Sequence, residues 1–239
     1  MISARLLFPL CSLFFLLSGC AQPVVYDVIL RGGTIYDGSG QPGCVADLAI
    51  QGDRIATIGD LSGATSPNDI DAKGLAVAPG FINMMSWANE SLLQDGRSQS
   101  DIRQGVTLEV MGEGHSMGPL SPTMKQQMQK HQGDIKYEVA WNTLGEYLSH
   151  LEKQGVSTNV ASFIGAATPR IYVIGYNDRK ATPEELEKMK ELVREAMREG
   201  AMGVASSLIY PPGHFADTAE LIELAKAAGE YDGLYASHI

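Results

Sequence analysis

Residues 200–239, GAMGVASSLIYPPGHFADTAELIELAKAAGEYDGLYASHI after Glu199, read as strand, loop, helix and strand, with His238 at the tip of the last strand. A parallel βα repeat gathers its chemistry at the carboxyl ends of its strands, so His238 stands where a metal ligand or catalytic base belongs. The same alternation runs back to Leu75. The apolar runs LAVAPGFINM, GVTLEVMGEG, TNVASFIGAA, GAMGVASSL and GLYASHI are separated by helical stretches, which predicts a parallel sheet or barrel. The strongest helix signal covers residues 183–199: Thr182 is the N-cap, Pro183 takes the first position, Glu185 completes a capping box, and Gly200 ends the helix. Weaker helical patterns cover 121–132, 144–154 and 218–229. Five strands with their helices amount to the first part of a (β/α)8 barrel, which takes about 250 residues in full. The expected fold class is therefore α/β, an incomplete (β/α)8 barrel over residues 75–239 whose last strands lie past Ile239. The rival is an open five-stranded sheet with helices on both faces. Against it, no Gly-rich phosphate fingerprint follows the first strand, where the chain reads INMMSWANE.

Ahead of the barrel, residues 20–74 are short and strand-like. YDVILRGGTIYDG and VADLAIQGDRIATIGD are each broken by Gly and Asp turns and read as a small antiparallel β unit. The composition, 44% hydrophobic and 19% charged over 239 residues, is that of a globular chain and excludes a fibrous or disordered one.

Residues 1–19 are set apart as an export signal. Arg5 precedes an apolar run over residues 6–17, too short and too interrupted by Pro9, Ser12 and Ser18 to be a spanning helix of about 20 residues. Leu17, Ser18, Gly19 and Cys20 resemble the lipobox of bacterial lipoproteins. That resemblance implies cleavage before Cys20 and acylation of its thiol, giving a lipid anchor that keeps the protein on a membrane. Ala21 and Gln22 follow without an aspartate, which resembles sorting to the outer membrane, facing the periplasm, in a Gram-negative source. Removing Arg5 takes the formal charge from −10 to −11, a surface that repels nucleic acid and anionic headgroups. With Cys11 removed and Cys20 acylated, Cys44 is the only thiol left, so no internal disulfide is expected.

VAPGFI at 77–82, GVT at 105–107, EGAMGVASSLIYPPG, FADTAEL and YASHI, in this order and spacing, resemble the amidohydrolase superfamily. Within it they resemble the N-acyl-D-amino-acid deacylase (D-aminoacylase) branch, of which the chain would form the N-terminal portion. The resemblance implies that the first β unit joins later strands in a small sandwich and that the barrel mouth holds zinc. The first barrel strand of that family reads PGFIDxHxH; here Asn83, Met85 and Trp87 stand at the three motif positions. Indole has no ring lone pair to give, and a neutral thioether suits copper(I) far better than zinc. One zinc ion is thus expected in place of a two-metal centre, with Met85 and Trp87 filling the mouth or lining an acyl pocket. The family's second strand ends in a metal-binding cysteine; here Glu113, between Gly112 and Gly114, is the candidate ligand. His238, in YxSHI, matches a metal-ligand position, and Tyr210, held by Pro211 and Pro212, matches a substrate-lining one. Its hydroxyl can face a developing oxyanion. Glu109 is expected to be a buried, paired acid, His115 and His214 exposed loop residues, and His131 and His150 surface residues.

The implied activity is metal-dependent hydrolysis of the acyl–nitrogen bond of an N-acyl-D-amino acid or related linear amide, with that small molecule as partner. The family's further metal ligand and its catalytic base would lie past Ile239, so no catalytic residue is assigned within the chain. Two other readings stay open. One is a catalytically incomplete fragment, since two ligands are fewer than the three that catalytic zinc takes from protein. The other is a metal-free periplasmic binding lipoprotein. Oligomeric state, acyl group and side chain are not legible.

Overall fold

The computed structural model describes residues 23–238. The export signal and Cys20 lie outside the described residues. The chain divides into two compact units between Pro79 and Gly80.

In the first unit, β1 (Val28–Ile35), β2 (Cys44–Gln51) and β3 (Arg54–Gly59) form an antiparallel run. β4 (Asp69–Asp71) and β5 (Ala76–Val77) then both pair with β1 in parallel. The unit is therefore a mixed sheet and not the purely antiparallel one its turns suggested, because turn residues mark where a chain bends and not where the next strand docks. A small apolar cluster of Ile29, Ala49, Leu61 and Ala64 closes it. Arg31 secures the return of the chain, donating to Leu61 O at 2.7 Å, Ala64 O at 3.0 Å and Asp69 Oδ1 at 2.8 Å.

The strand-like run 75–84 is split by Pro79 and Gly80. Its first part is β5, in the first unit, and its second is β6 (Phe81–Asn83). From β6 onward every strand pairing is parallel. After the short helices α1 (Ser91–Gln94) and α2 (Gln99–Ile102) comes β7 (Val106–Met111), which pairs with β6. α3 (Pro122–Lys130) and α4 (Leu144–Gln154) lead to β8 (Asn159–Ser162), which pairs with β7. One residue later β9 (Ile164–Gly165) pairs instead with β10 (Gly203–Ser207), which is reached through α5 (Ala167–Ile174) and α6 (Pro183–Arg198). α7 (Thr218–Gly229) and β11 (Leu234–His238) complete the series, β11 pairing with β10. The two three-stranded sheets meet at Phe163, whose N–H donates to Met111 O. Strand order thus rises steadily without the reversal that defines a doubly wound sheet.

Side chains alternate across these strands. Val110, Phe163 and Ala205 form a cluster on one face, while Met111, Ile164 and Val204 meet the helices on the other. α6 shows why its sequence folds as it does: Thr182 accepts from Glu185 N, Glu185 reaches back to Thr182 N, and Met189, Val193, Ala196 and Met197 form one buried face. A Met or Val side chain contributes about 1.5–3 kcal/mol when fully buried.

α5 was not legible as a helix. Its Pro169 falls in the first turn, where proline is tolerated, and its Arg170 is fully buried against Glu220 of α7, Nη1 to Oε2 2.6 Å. Desolvation raises the pKa of Glu220 while Arg170 pulls it back down. Among the described residues no helix is long and apolar enough to cross a membrane.

Candidate functional site

The segment after β7 turns sharply because Gly112 and Gly114 adopt left-handed backbone, with φ of 91° and 71°. A Cβ at Gly112 would run into the Phe163 carbonyl oxygen, and one at Gly114 would lie 2.7 Å from Ser207 Cβ. Both conformation and space therefore call for glycine. The turn carries Glu113 over the neighbouring strand ends.

At the end of β11, His238 stands beside Ser207 in the β10–β11 register. Its Nδ1 lies 3.0 Å from Glu113 Oε1, with side-chain exposures of 35% and 19%. Two residues separated by 125 positions are thus brought together, from strands with β8, β9 and β10 between them. Tyr210, on the loop after β10, places its ring centroid 6.5 Å from that of His238. Tyr210 is 53% exposed, leaving its hydroxyl available to a ligand. The three residues singled out in the sequence form one cluster.

The other candidates make no hydrogen bond with it among the described residues. Met85 and Trp87, past the end of β6, are exposed. His214 sits in a single 3₁₀ turn, Gly213–Phe215, with Nδ1 3.1 Å from Leu208 O. His131 caps the end of α3, and His150 is half-buried with its ring 5.4 Å from that of Trp141, so it is not a plain surface residue. The ring of His115 is open to solvent by area, yet enough protein surrounds it for desolvation to lower its pKa.

Glu109 differs from expectation in its partners. It is fully buried, but among the described residues no cation pairs with it: Ser86 and Ser98 hydroxyls donate at 2.6 Å and that of Thr158 at 3.1 Å. Nor does it share a face with Glu113, because the positive φ of Gly112 ends the regular strand between them. A buried carboxylate satisfied by three hydroxyls is a structural device, and nothing in the local sequence pattern marks Ser98 or Thr158 as its partners.

The donors at the cluster suit zinc in kind, one carboxylate oxygen and one imidazole nitrogen. Their 3.0 Å separation is compatible with adjacent ligands of an ion bound at about 2.0–2.2 Å. Among the described residues no group of three His, Cys, Asp or Glu is placed to hold a metal. A cleft of about 1130 Å³ along α4 opens at the amino-terminal end of β8, lined by Asn159, Val160 and Glu199, away from this cluster. A smaller cavity of about 310 Å³ lies beside Trp87 and His115 on the carboxyl-end side.

No protein-family model matches the sequence. The D-aminoacylase of Alcaligenes xylosoxydans xylosoxydans is 38% identical over 223 residues, covering 92% of this chain and 45% of that protein. A crystal structure of D-aminoacylase, described as defining a subset of amidohydrolases, superposes with a TM-score of 0.79 at 34% identity, over 90% of this chain and 45% of that one. The N-acyl-D-glutamate deacylase of Bordetella bronchiseptica gives the same TM-score and coverage at 30% identity; it was solved with zinc and a phosphonate mimic of the reaction's tetrahedral intermediate. Over the residues matched, the sequence and the parallel strand series are similar to those of the D-aminoacylase subset of amidohydrolases. The chain spans about half the length of the relatives it matches.

Proposed function

We propose that this chain is the first part of a metal-dependent amidohydrolase that cleaves the acyl–nitrogen bond of N-acyl-D-amino acids or related linear amides. The observation that carries the reading is the meeting of Glu113 and His238 at strand ends, 3.0 Å apart, in a chain 38% identical to a D-aminoacylase. In this reading β6 to β11 are the opening strands of a (β/α)8 barrel, and the first sheet is one layer of a small sandwich. The open edges of β6 and β11, with Phe81, Ile82, Leu234 and Tyr235 exposed, support a continuation that pairs with them.

Glu113 and His238 would hold a single zinc ion, with a third protein ligand from further along the chain. When bound, the ion polarises the scissile carbonyl and lowers the pKa of water. The chain's own residues then have defined work. The Nδ1–Oε1 contact turns the imidazole toward Glu113, and an ion held by both atoms would take the place of the proton they share. Tyr210 presents a hydroxyl beside them, able to donate to the oxygen on which negative charge builds. The same site without a metal would be a binding protein, and the glycine-framed Glu113 argues for the enzyme.

Turnover of N-acetyl-D- and N-acetyl-L-amino acids tests the reading, with the 239-residue chain compared against the chain carried through the whole barrel. The longer form should release free D-amino acid in a metal-dependent way. The shorter form should be inactive and melt without cooperativity, because an open barrel leaves apolar faces uncovered. Failure of a folded, zinc-loaded long form on both enantiomers and all acyl groups would favour the binding protein. Cooperative melting with turnover by the short form would refute the incomplete-barrel reading.

We further propose, from Leu17 to Cys20, that the mature protein is exported and lipid-anchored on a membrane. Cys20→Ala should leave the protein unlipidated; a variant that still fractionates with detergent-extracted membranes while carrying no uncleaved signal would rule this out.

A further inference from the structure

We propose that Ser207 is a positioning residue of the metal centre, its hydroxyl donating to the Glu113 carboxylate when that carboxylate takes up an ion. This rests on the metal reading above for the ion and on the surroundings of Ser207 for the rest. Ser207 ends β10 beside His238 in the β10–β11 register. Ala205 and Ala236, two residues earlier on each strand, pack with Val110 and Phe163, and alternate residues of a strand point the same way. Ser207 and His238 therefore share that face, at the strand ends where Glu113 meets them.

The hydroxyl is an orphan there. Ser207 is 6% exposed, and its Oγ is closed to solvent with no hydrogen-bond partner. Buried hydroxyls are normally satisfied, so an exception calls for a reason. Among the described residues the other two such atoms, Arg170 Nε and Glu220 Oε1, belong to one ion pair between α5 and α7. Ser207 instead packs against the glycine turn, its Cβ 2.7 Å from where a Cβ on Gly114 would stand. Glu113 is the next residue along. The carbonyls of the turn are engaged, that of Glu113 by the His115 N–H at 2.8 Å and that of Gly114 by the Ala167 N–H at 2.9 Å. The acceptor left in the turn is the Glu113 carboxylate.

Glu113 Oε1 meets His238 Nδ1 in the structure. An ion held by both atoms displaces the shared proton, and the carboxylate then loses the donor that oriented it. Carboxylates that ligate a metal are themselves held by hydrogen bonds from a surrounding group. The Ser207 hydroxyl supplies that bond: its hydrogen rotates to suit an acceptor, and Glu113, framed by glycines, has room to swing toward it. A purely packing role for Ser207 makes the opposite forecast, since alanine would fill the same space beside Gly114.

The test is zinc affinity, measured on the protein carrying its whole barrel by competition with a chromophoric chelator, alongside thermal unfolding of the metal-free form. Ser207→Ala should weaken zinc binding about 10–100-fold, the usual cost of losing a group that orients a metal ligand. Its metal-free unfolding midpoint should hold or rise, since an unpartnered buried hydroxyl is removed. Ser206→Ala is the control, because that hydroxyl lies on the opposite face, 2.7 Å from Tyr235 Oη and 3.0 Å from Ser237 Oγ. It should lose stability and keep the parent's zinc affinity. Ser207→Gly, which also lacks the hydroxyl, is used if circular dichroism shows Ser207→Ala misfolded. Parent-like zinc affinity in a folded Ser207 variant, or an equal loss of affinity in Ser206→Ala, would overturn the proposal. A parent protein that binds no zinc would instead refute the metal reading, and this proposal with it.

Discussion

At the residue scale, Glu113 and Glu109 show what a sequence discloses and what it hides. Glu113 was singled out through the resemblance, which implies a metal ligand at the end of the second strand, and its flanking glycines leave room around an ion; the structure brings it to His238. Glu109 was legible only as a buried acid. Its partners Ser86, Ser98 and Thr158 lie 23, 11 and 49 residues away, and hydroxyls carry no charge pattern to match. Glu109→Ala should cost about 1–3 kcal/mol in urea unfolding, the penalty for buried donors left unsatisfied. Glu109→Gln should cost less, since serine and threonine hydroxyls can rotate to accept from the new amide. Equal losses in the two variants would mean that packing and not hydrogen bonding governs the position.

At the element scale, the helices with capping signals were read almost to their ends, whereas α5 was missed. Thr182, Pro183 and Glu185 announce α6 locally, but α5 begins directly after β9 with Ala166 as an N-cap that makes no side-chain bond. Nothing in ATPRIYVI signals that Arg170 will find Glu220 in another helix. The strand run 75–84 was misjudged for a related reason: alternation shows that residues are extended and leaves open which sheet receives them.

The cap on α6 also makes a pH prediction. Arg179 hydrogen-bonds Glu185, and with the Thr182 N–H it pushes the Glu185 pKa from 4.5 to about 2. The folded form therefore binds fewer protons than the unfolded form between these values. The stabilisation is complete above about pH 4.5 and is lost as pH falls toward about 2. Glu185→Gln should flatten the decline of the unfolding midpoint across that window, most visibly at low salt because the pair is exposed. An unchanged slope would show that the cap does not titrate with folding.

At the scale of the whole molecule, the alternation of strands and helices from β6 to β11 was legible from period, their steady order only through the missing Gly-rich fingerprint and the resemblance, and the β1–β5 sheet only in outline. The second unit gathers Glu113, His238 and Tyr210 at one end of its strands and places the smaller cavity on that side. Met85 and Trp87, standing exposed past β6, offer no imidazole for a second ion. The central claim is thus that one metal ion is held through Glu113 and His238. Zinc content per chain, measured by mass spectrometry after exhaustive dialysis of the protein carrying its whole barrel, tests it most directly. The account predicts about one ion per chain, lost in Glu113→Ala and in His238→Ala but kept in His115→Ala and His214→Ala. A content near two that survives Met85→Ala, or one that persists when Glu113 and His238 are each replaced, would contradict it.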